Sequence, residues 1–520
     1  MITAPSPPQA NKWLVAPTVM LPMLMVVLDT SVVNVSLDHI RGSLSAGIDE
    51  ATWSITAYLA ANAVIIPMSG WISRLIGRKR YLLLSIVLFT LSSFLCGISW
   101  NIQSLIIFRV IQGLTGGAMP PLSQAILLES FPPQQYGMAM AIFGIGVTFG
   151  PIIGPVLGGW ITDNLTWHWV FFINIPIGIV SVIMAILFIV DPPYMKGIRM
   201  KIDYIGLILL ALGVGCLQLL LDRGERNDWF NSNLMLALAI ISVFSIALFI
   251  IVERRTERPI VDLKVFRNYS FCLGNLAIFF FMVNLFGTLV LLPIYLQTLM
   301  GYTSSLSGIV LAPGGVANLV AMPLVGRFLH RFNPKIFVIP GVLLTAYSTL
   351  LMASFTLGVD FMTVLWPRVV MGLGMGMLFI PLTTLTVSGI SKENMGNATA
   401  IYNLIRNIGG SIGIAIVTTM VNRRAQFHQM RLVEHMTPYD SMYYQRAQQG
   451  ANLLQQSGLD PSTARQGGLG IIYENMIRQA SMLSFDDVFY ALAVMTLILI
   501  PLVLFMKQSK EGQGPAALGE

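Results

Sequence analysis

Charge is scarce in this chain of 520 residues: Asp, Glu, Lys and Arg make up 11% of it, against roughly a quarter in a soluble domain. That shortage excludes an ordinary water-soluble globule. Histidine is scarcer still, with five residues, and none stands in an H-E-x-x-H or other metal-ligating spacing. The three cysteines, Cys96, Cys216 and Cys272, all lie in apolar segments, which argues against a disulfide framework. The G-x-x-x-x-G-K-[ST] loop is missing, which speaks against nucleotide hydrolysis by this chain. No metal site and no catalytic residue are expected, so the chain does not read as an enzyme.

Apolar sequence is abundant instead. Hydrophobic residues make up 55% of the chain and the mean hydropathy is +0.73. About fourteen apolar runs approach the roughly 20 residues that cross a hydrocarbon core. The sequence therefore predicts an all-α polytopic membrane protein with fourteen spans. The first run follows the polar stretch "MITAPSPPQANKW" and lacks a small-residue cleavage site, so it reads as a first helix rather than a removed signal peptide. Span thirteen is expected over 396–421 and span fourteen over 485–506. Residues 422–484 between them read as a soluble loop with one or two amphipathic helices.

An even number of spans puts both termini on one side, and charge chooses the side. With the termini inside, the inner loops hold Arg74, Arg78, Lys79, Arg80, Arg254, Arg255, Lys264, Arg267, Arg327, Arg331 and Lys335, among others, while the short outer loops hold only Arg41, Arg223 and Arg226. The positive-inside rule then predicts cytoplasmic termini and a periplasmic 422–484 loop. The net charge of +7 is absorbed by this asymmetry, so no nucleic-acid partner is implied.

The chain repeats itself. "RVIQGLTGGAMPPL" at 109 resembles "RVVMGLGMGMLFIPL" at 368, and "AIFGIGVTFGPIIG" at 141 resembles "AIYNLIRNIGGSIG" at 400. Both pairs share one offset, and "GWISRLIGRKRY" at 70 against "GRFLHRFNPKIF" at 326 nearly shares it. Such a repeat implies two six-helix halves. The expected division is 1–202 for the first half, 203–252 for two inserted helices, and 253–520 for the second half.

Two packed halves enclose a cavity, and ionisable groups within spans usually face it. Asp29 is the one acid well inside a span, in "LMVVLDTSVVNVSL". Burial raises a carboxyl pKa and a nearby Arg lowers it, so Asp29 is a candidate proton carrier facing a wet interior. The competing reading is a structural Asp bonded to Thr30, Ser31 or a facing helix. Arg109 is its candidate partner, or a static interhelical pair. Arg368 matches Arg109 in the repeat and reads as a relic, whereas Arg406, aligned with Val147, is a better functional candidate. Polar and aromatic residues expected to line the cavity are Asn34, Tyr58, Asn62, Gln112, Asn284, Tyr295, Gln297, Thr384, Tyr402, Asn403 and Arg406. Mixed lining of this kind suits bulky hydrophobic ligands.

Two motifs read as conformational. In "GIGVTFGPIIGPVLGGW", Gly150, Gly154 and Gly158 form one smooth helix face, Gly159 follows, and Pro151 and Pro155 invite a bend. Together they suggest a seal between the halves. In "GWISRLIGRKRY", which opens on Gly70, Gly77 offers a tight turn, and Arg78 is either topology-setting charge or a latch on nearby acids or on a helix C-terminus.

These stretches resemble the major facilitator superfamily, and more narrowly its fourteen-helix drug:proton antiporter family of EmrB/QacA type. "LDTSVVNVSL", "RVIQGLTGG", the Gly-Pro motif, "WHWVFFINIPIG", "LLLDRGERNDWF", "PIVDLKVFRN", "LLPIYLQTLMGYTSS" and "IPLTTLTVSG" carry the resemblance. It implies export of hydrophobic compounds across the bacterial inner membrane in exchange for protons, driven by the proton gradient with no cofactor. It also implies a periplasmic EmrA-like adaptor (a membrane fusion protein) and a TolC-like outer-membrane channel, with 422–484 as the contact. Under it, Asp29 and Arg109 become the proton-coupling pair. One departure stands out: the family's inner-loop motif has an acid where this chain has Arg74. Two other readings remain open, a carrier of one metabolite or siderophore-like compound and a non-transporting membrane sensor or scaffold.

Overall fold

The computed structural model describes residues 11–191, 203–257, 259–434, 436 and 441–506, without the side chains of residues 151, 155, 304 and 305. Among these residues there are helices and turns and no strand. The helices are α1 (Lys12–Ser43), α2 (Ile48–Ile76), α3 (Arg78–Gly97), α4 (Ile102–Gly116), α5 (Met119–Ser130), α6 (Tyr136–Asn164), α7 (Trp169–Phe172), α8 (Asn174–Phe188), α9 (Tyr204–Arg223), α10 (Asn233–Arg255), α11 (Tyr269–Thr298), α12 (Ser304–Phe328), α13 (Lys335–Met352), α14 (Phe361–Val387), α15 (Met395–Glu434), α16 (Ser441–Gln456), α17 (Pro461–Leu497) and α18 (Leu499–Phe505). Fourteen stretches are long and apolar enough to cross a membrane, with α4 and α5 running as one and α17 continuing into α18.

Local chemistry sets several starts. Asn11, Asn101, Asp203, Asn268, Thr303 and Asp460 each accept a hydrogen bond from a backbone N–H in the first turn, satisfying a donor that the helix itself leaves free.

Both ends of the described chain lie on one face. Lys12 Nζ bonds Gln135 Oε1 at 2.6 Å beside the start of α6, whose Gly137 meets Leu329 and Gly326 at the end of α12. The next helix, α13, begins at Lys335, whose Nζ bonds the Leu504 carbonyl at 2.7 Å. We call this the terminal face.

The first six spans and the last six meet directly between mid-bundle and the terminal face. Gly70 lies against the backbone of Gly396 and Asn397, and Gly144 against Met322 and Phe379. Asn318 donates to Thr148 Oγ1 at 3.2 Å, and Asn403 to Gln124 Oε1 at 2.6 Å. Toward the opposite face the connection runs through α9 and the turn after it. Arg226 reaches Asp49 at 3.2 Å and Asp222 bonds Thr56 on one side. On the other, Gln218 donates to Ser411 Oγ at 2.9 Å and Trp229 Nε1 to Thr419 Oγ1 at 3.0 Å.

One expectation is corrected here. Most of residues 422–484 is no free loop: α15 continues as one helix to Glu434, and α17 begins at Pro461. The sequence there is rich in Gln, Arg, Met and Ala, good helix formers, so the helices do not stop where the apolar run stops. The expected amphipathic helix is α16, which packs on α17 with Gly468 against the Ala447 carbonyl.

Candidate functional site

Asp29 lies on α1 among Val26, Leu28, Val32 and Val33, all buried. Its carboxylate is enclosed, at 1% exposure, but not by apolar groups. Arg109 Nη1 of α4 donates to Oδ2 at 2.5 Å, and Gln112 Nε2 to Oδ1 at 2.8 Å. Asn174 Nδ2 of α8 donates to Oδ1 at 3.0 Å. The expected wet interior is thus absent around Asp29 in this conformation: three polar donors surround the carboxylate.

The donors are themselves held. Arg109 Nη1 also donates to Gln112 Oε1 at 2.7 Å, its Nε to the Ser54 carbonyl of α2 at 3.1 Å, and its guanidinium carbon sits 4.0 Å from the centre of the Tyr58 ring. Asn174 bonds Ser93 Oγ of α3 at 2.9 Å, and Ser93 donates to the Phe171 carbonyl. The cluster therefore ties α1, α2, α3, α4 and α8 together through one ion pair. A buried pair of this kind is costly to break from one side, because the remaining charge loses its partner.

The other expected residues scatter. Asn62 is buried where α2 meets the backbone of Gly113 and Gly117. Asn34 and Gln297 are exposed. Asn284 donates to Thr496 Oγ1 and the Leu492 carbonyl, and Tyr295 Oη donates to the Thr356 carbonyl with its ring stacked on Phe355. Both belong to the packing among the last six spans rather than to a cavity. Thr384 bonds its own helix at Ile380. Arg368 is enclosed, with Nη1 on Met371 Sδ at 3.3 Å. That mirrors Arg109 on Gln112 at the same spacing in the other repeat, without an acid. Tyr402, Asn403 and Arg406 follow one another along α15 at the junction of the halves, Tyr402 bonded to Thr383 at 2.6 Å.

The glycine motif packs differently from its expected role. Gly150, Gly154 and Gly158 face Val27, Ser31 and Val32 of α1, so they press α6 onto a neighbour within the first six spans instead of sealing the two halves. Contact with α12 comes from Gly137, Gly144 and Ile152. Nothing lies within 4 Å of a side chain placed at Gly159. The side chains of Pro151 and Pro155 fall outside the described residues.

At the 70–80 turn, Gly77 has φ +93°, a conformation that favours glycine, and Asp191 accepts the Lys79 N–H at 2.8 Å. Arg78 is buried and pairs with Glu129 of α5. Arg74, where the resemblance led us to expect an acid, instead feels the charge of Asp262 in the connection after α10. Asp262 is fixed there by two bonds with Asn397, at 3.0 and 2.9 Å.

The residues that sequence reasoning missed are Asn174, Ser93 and Gln124. Asn174 had a signal, a lone amide within "FFINIPIG"; the other two are small or amide residues among many. The string Gly409-Gly410-Ser411-Ile412-Gly413 has G-x-S-x-G spacing, but it lies inside α15, not on the strained turn that presents a nucleophile. Among the described residues no group of His, Cys, Asp and Glu gathers to hold a metal ion.

Comparison with known proteins bears on what this bundle is. The family model described as Major Facilitator Superfamily matches residues 19–414. The chain is 37% identical over 487 residues to the fatty acid resistance protein FarB of Neisseria gonorrhoeae, covering 94% of each. It is 39% identical over 438 residues to the multidrug export protein EmrB of Haemophilus influenzae, covering 83% of this chain and 86% of that one. The fold is shared with the solved proton:xylose symporter XylE, at a TM-score of 0.60, 14% identity, and coverage of 96% and 99%.

Proposed function

Because this chain belongs to the Major Facilitator Superfamily, we propose that it is a proton-coupled antiporter that exports hydrophobic compounds by alternating access. One observation carries the reading: the single intramembrane acid of the first span is held by an arginine, a glutamine and an asparagine from two other spans. A proton arriving at Asp29 removes the negative charge that Arg109 faces. Arg109 keeps Gln112, Ser54 and Tyr58, but the link from α1 to α4 weakens, and the packing of α1 against α6 and α8 is free to change. Substrate binding that favours one arrangement then shifts the proton, because the two are linked through one equilibrium.

The substrate class is supported by the relatives' names, one a resistance protein for fatty acids and the others multidrug exporters. Fatty acids are amphiphilic, and a fatty acid resistance protein among the relatives supports a hydrophobic substrate class. The terminal face carries Arg74, Arg78, Lys79 and Arg80 on one side and Arg327, Arg331 and Lys335 on the other, which favours a cytoplasmic terminal face. The extended α15, α16 and α17 then project into the periplasm, where an EmrA-like adaptor and a TolC-like channel complete the export route. No cofactor is needed, since the proton gradient supplies the work.

The test is reconstitution of the full chain in liposomes. An imposed pH gradient should drive a hydrophobic dye against its own gradient, with collapse of the movement on adding a protonophore. Dye movement indifferent to the pH gradient would reject the antiport reading.

A further inference from the structure

Two cavities follow one another along α15 toward the face opposite the termini, and neither belongs to the Asp29 cluster. The first, of about 220 Å³, is apolar except for Thr419. Leu221 of α9, Trp229, and Ile412, Ala415, Ile416 and Met420 of α15 bound it. Ile416 is 41% exposed, so this crevice lies at the side of the bundle. The second, of about 340 Å³, is a groove where α15 and α17 meet the turn after α9. Glu225, Asn422, Gln426, Gln429 and Ser481 line it, alongside Ile477 and two alanines.

Trp229 joins the two. Its Nε1 donates to Glu225 Oε2 at 3.1 Å and to Thr419 Oγ1 at 3.0 Å, and Asn422 donates to Glu225 Oε1 at 2.8 Å. Its backbone has φ +49°, which a bulky residue rarely adopts. Its ring lies against Gly224, where a side-chain carbon would stand 2.6 Å from it. Such strain persists where the surroundings fix it, and here it sets the indole between an apolar crevice and a polar groove.

The depths match one leaflet of a bilayer. On α15 the crevice spans residues 412–420, within the apolar run, and the groove spans 422–429, where that run has ended. Tryptophan is the usual anchor at the boundary between them. Charge then selects the headgroup. Glu225 is the charged side chain among the described residues that line the groove, and each of its oxygens has room for a further donor. Arg423, exposed and next to Asn422, lies close enough for Glu225 to feel its charge, whereas Arg226 turns away to Asp49. One acid in the groove and one arginine beside it complement a headgroup that carries a terminal ammonium and a phosphate.

We infer that crevice and groove together bind one aminophospholipid of the leaflet opposite the termini, with its ammonium on Glu225 and part of one acyl chain under Trp229 between α9 and α15. The bound lipid braces the turn after α9, which links the two sets of spans on this face. The inference goes beyond the antiport reading and does not depend on it.

The experiment places the full chain in nanodiscs of phosphatidylethanolamine and phosphatidylglycerol, with the acyl chains of one lipid or the other brominated. Bromine quenches tryptophan on contact, and the Trp229 signal is isolated by subtracting the matching Trp229→Phe protein. The lipids share phosphate and chains and differ in ending on an ammonium or a glycerol. The chain's net charge of +7 draws anionic lipid in general, so a preference for the ethanolamine lipid is a local signature. At equal lipid fractions it should quench Trp229 about twofold to fivefold more strongly in wild type, as expected for a half-exposed charged contact. Glu225→Gln should bring that ratio to one. Equal quenching in wild type marks ordinary boundary lipid and overturns the site, as does quenching by neither lipid. Stronger quenching by phosphatidylglycerol, or a preference that survives Glu225→Gln, overturns the headgroup assignment. If Glu225→Gln disturbs the turn, Ala415→Leu, which fills the crevice and leaves the groove, should abolish the preference; a preference untouched by Ala415→Leu overturns the joint site.

Discussion

Asn403 of α15 and Gln124 of α5 share a hydrogen bond of 2.6 Å in a fully buried setting, and that bond crosses from one set of six spans to the other. It lies one turn from Arg406 and on the terminal-face side of it. Under the proposed alternating access, this contact parts when the bundle opens to the terminal face.

Asn403→Ala should therefore weaken closure without unfolding the halves. A neutral buried hydrogen bond contributes about 1 kcal/mol, so the balance of closed and open forms should move roughly fivefold. Spin labels on the terminal-face ends of α3 and α15 would read this as a grown long-distance population. An unchanged distance distribution would mean the bond plays no part in closure.

The glycines of α6 give a paired test. A methyl group at Gly154 would stand 2.4 Å from Ser31 Cβ, whereas at Gly159 it meets nothing within 4 Å. Gly154→Ala should cost about 1–3 kcal/mol of packing between α1 and α6, seen as a lower thermal unfolding temperature of the purified protein. Gly159→Ala should leave that temperature within error of wild type. The same result for both variants would show that the α1–α6 approach is not what fixes the glycine.

Glu225, in the turn after α9, offers a pH test outside the spans. Partial burial pushes its carboxyl upward, but hydrogen bonds from Asn422, Thr419 and Trp229 outweigh that and hold it below the ordinary glutamate range. A depressed carboxyl stabilises the folded contact above its unfolded value, about 4.3, and the contribution is lost as pH falls through the depressed value. The emission of Trp229, isolated by subtracting a Trp229→Phe variant, should hold steady near neutrality and shift to longer wavelength only in acid. Glu225→Gln should remove the transition; a transition that survives in that variant belongs to another group.

Much of this arrangement was legible from residue order. Apolar run length gave the spans, the repeat around residues 109 and 368 gave the two related sets, and a lone acid near an arginine pointed to Asp29 and Arg109. Length and pattern failed where the polar face of a span had to be assigned. Asn284 and Tyr295 are as polar as Gln112, yet they find partners between adjacent helices, and a helix in lipid satisfies a polar side chain equally well on either side. Asn34 and Gln297 are exposed for the same reason. The extension of α15 to Glu434 escaped because a spanning helix and its polar continuation share one backbone, and only the hydropathy changes at the boundary. Arg74 shows a further limit: local motif matching reports the loss of the acid, and it does not foresee that the arginine in its place has Nε and Nη2 buried without a hydrogen-bond partner.

The most direct test of the account is uphill export by Asp29→Asn in liposomes under an imposed pH gradient. Asn preserves the size, and its one oxygen can still accept from Arg109 on one side or from Gln112 and Asn174 on the other, but it cannot take up and release a proton. The account predicts that Asp29→Asn loses gradient-driven accumulation of dye while still equilibrating dye down its own gradient. Accumulation at the wild-type level by Asp29→Asn would contradict it.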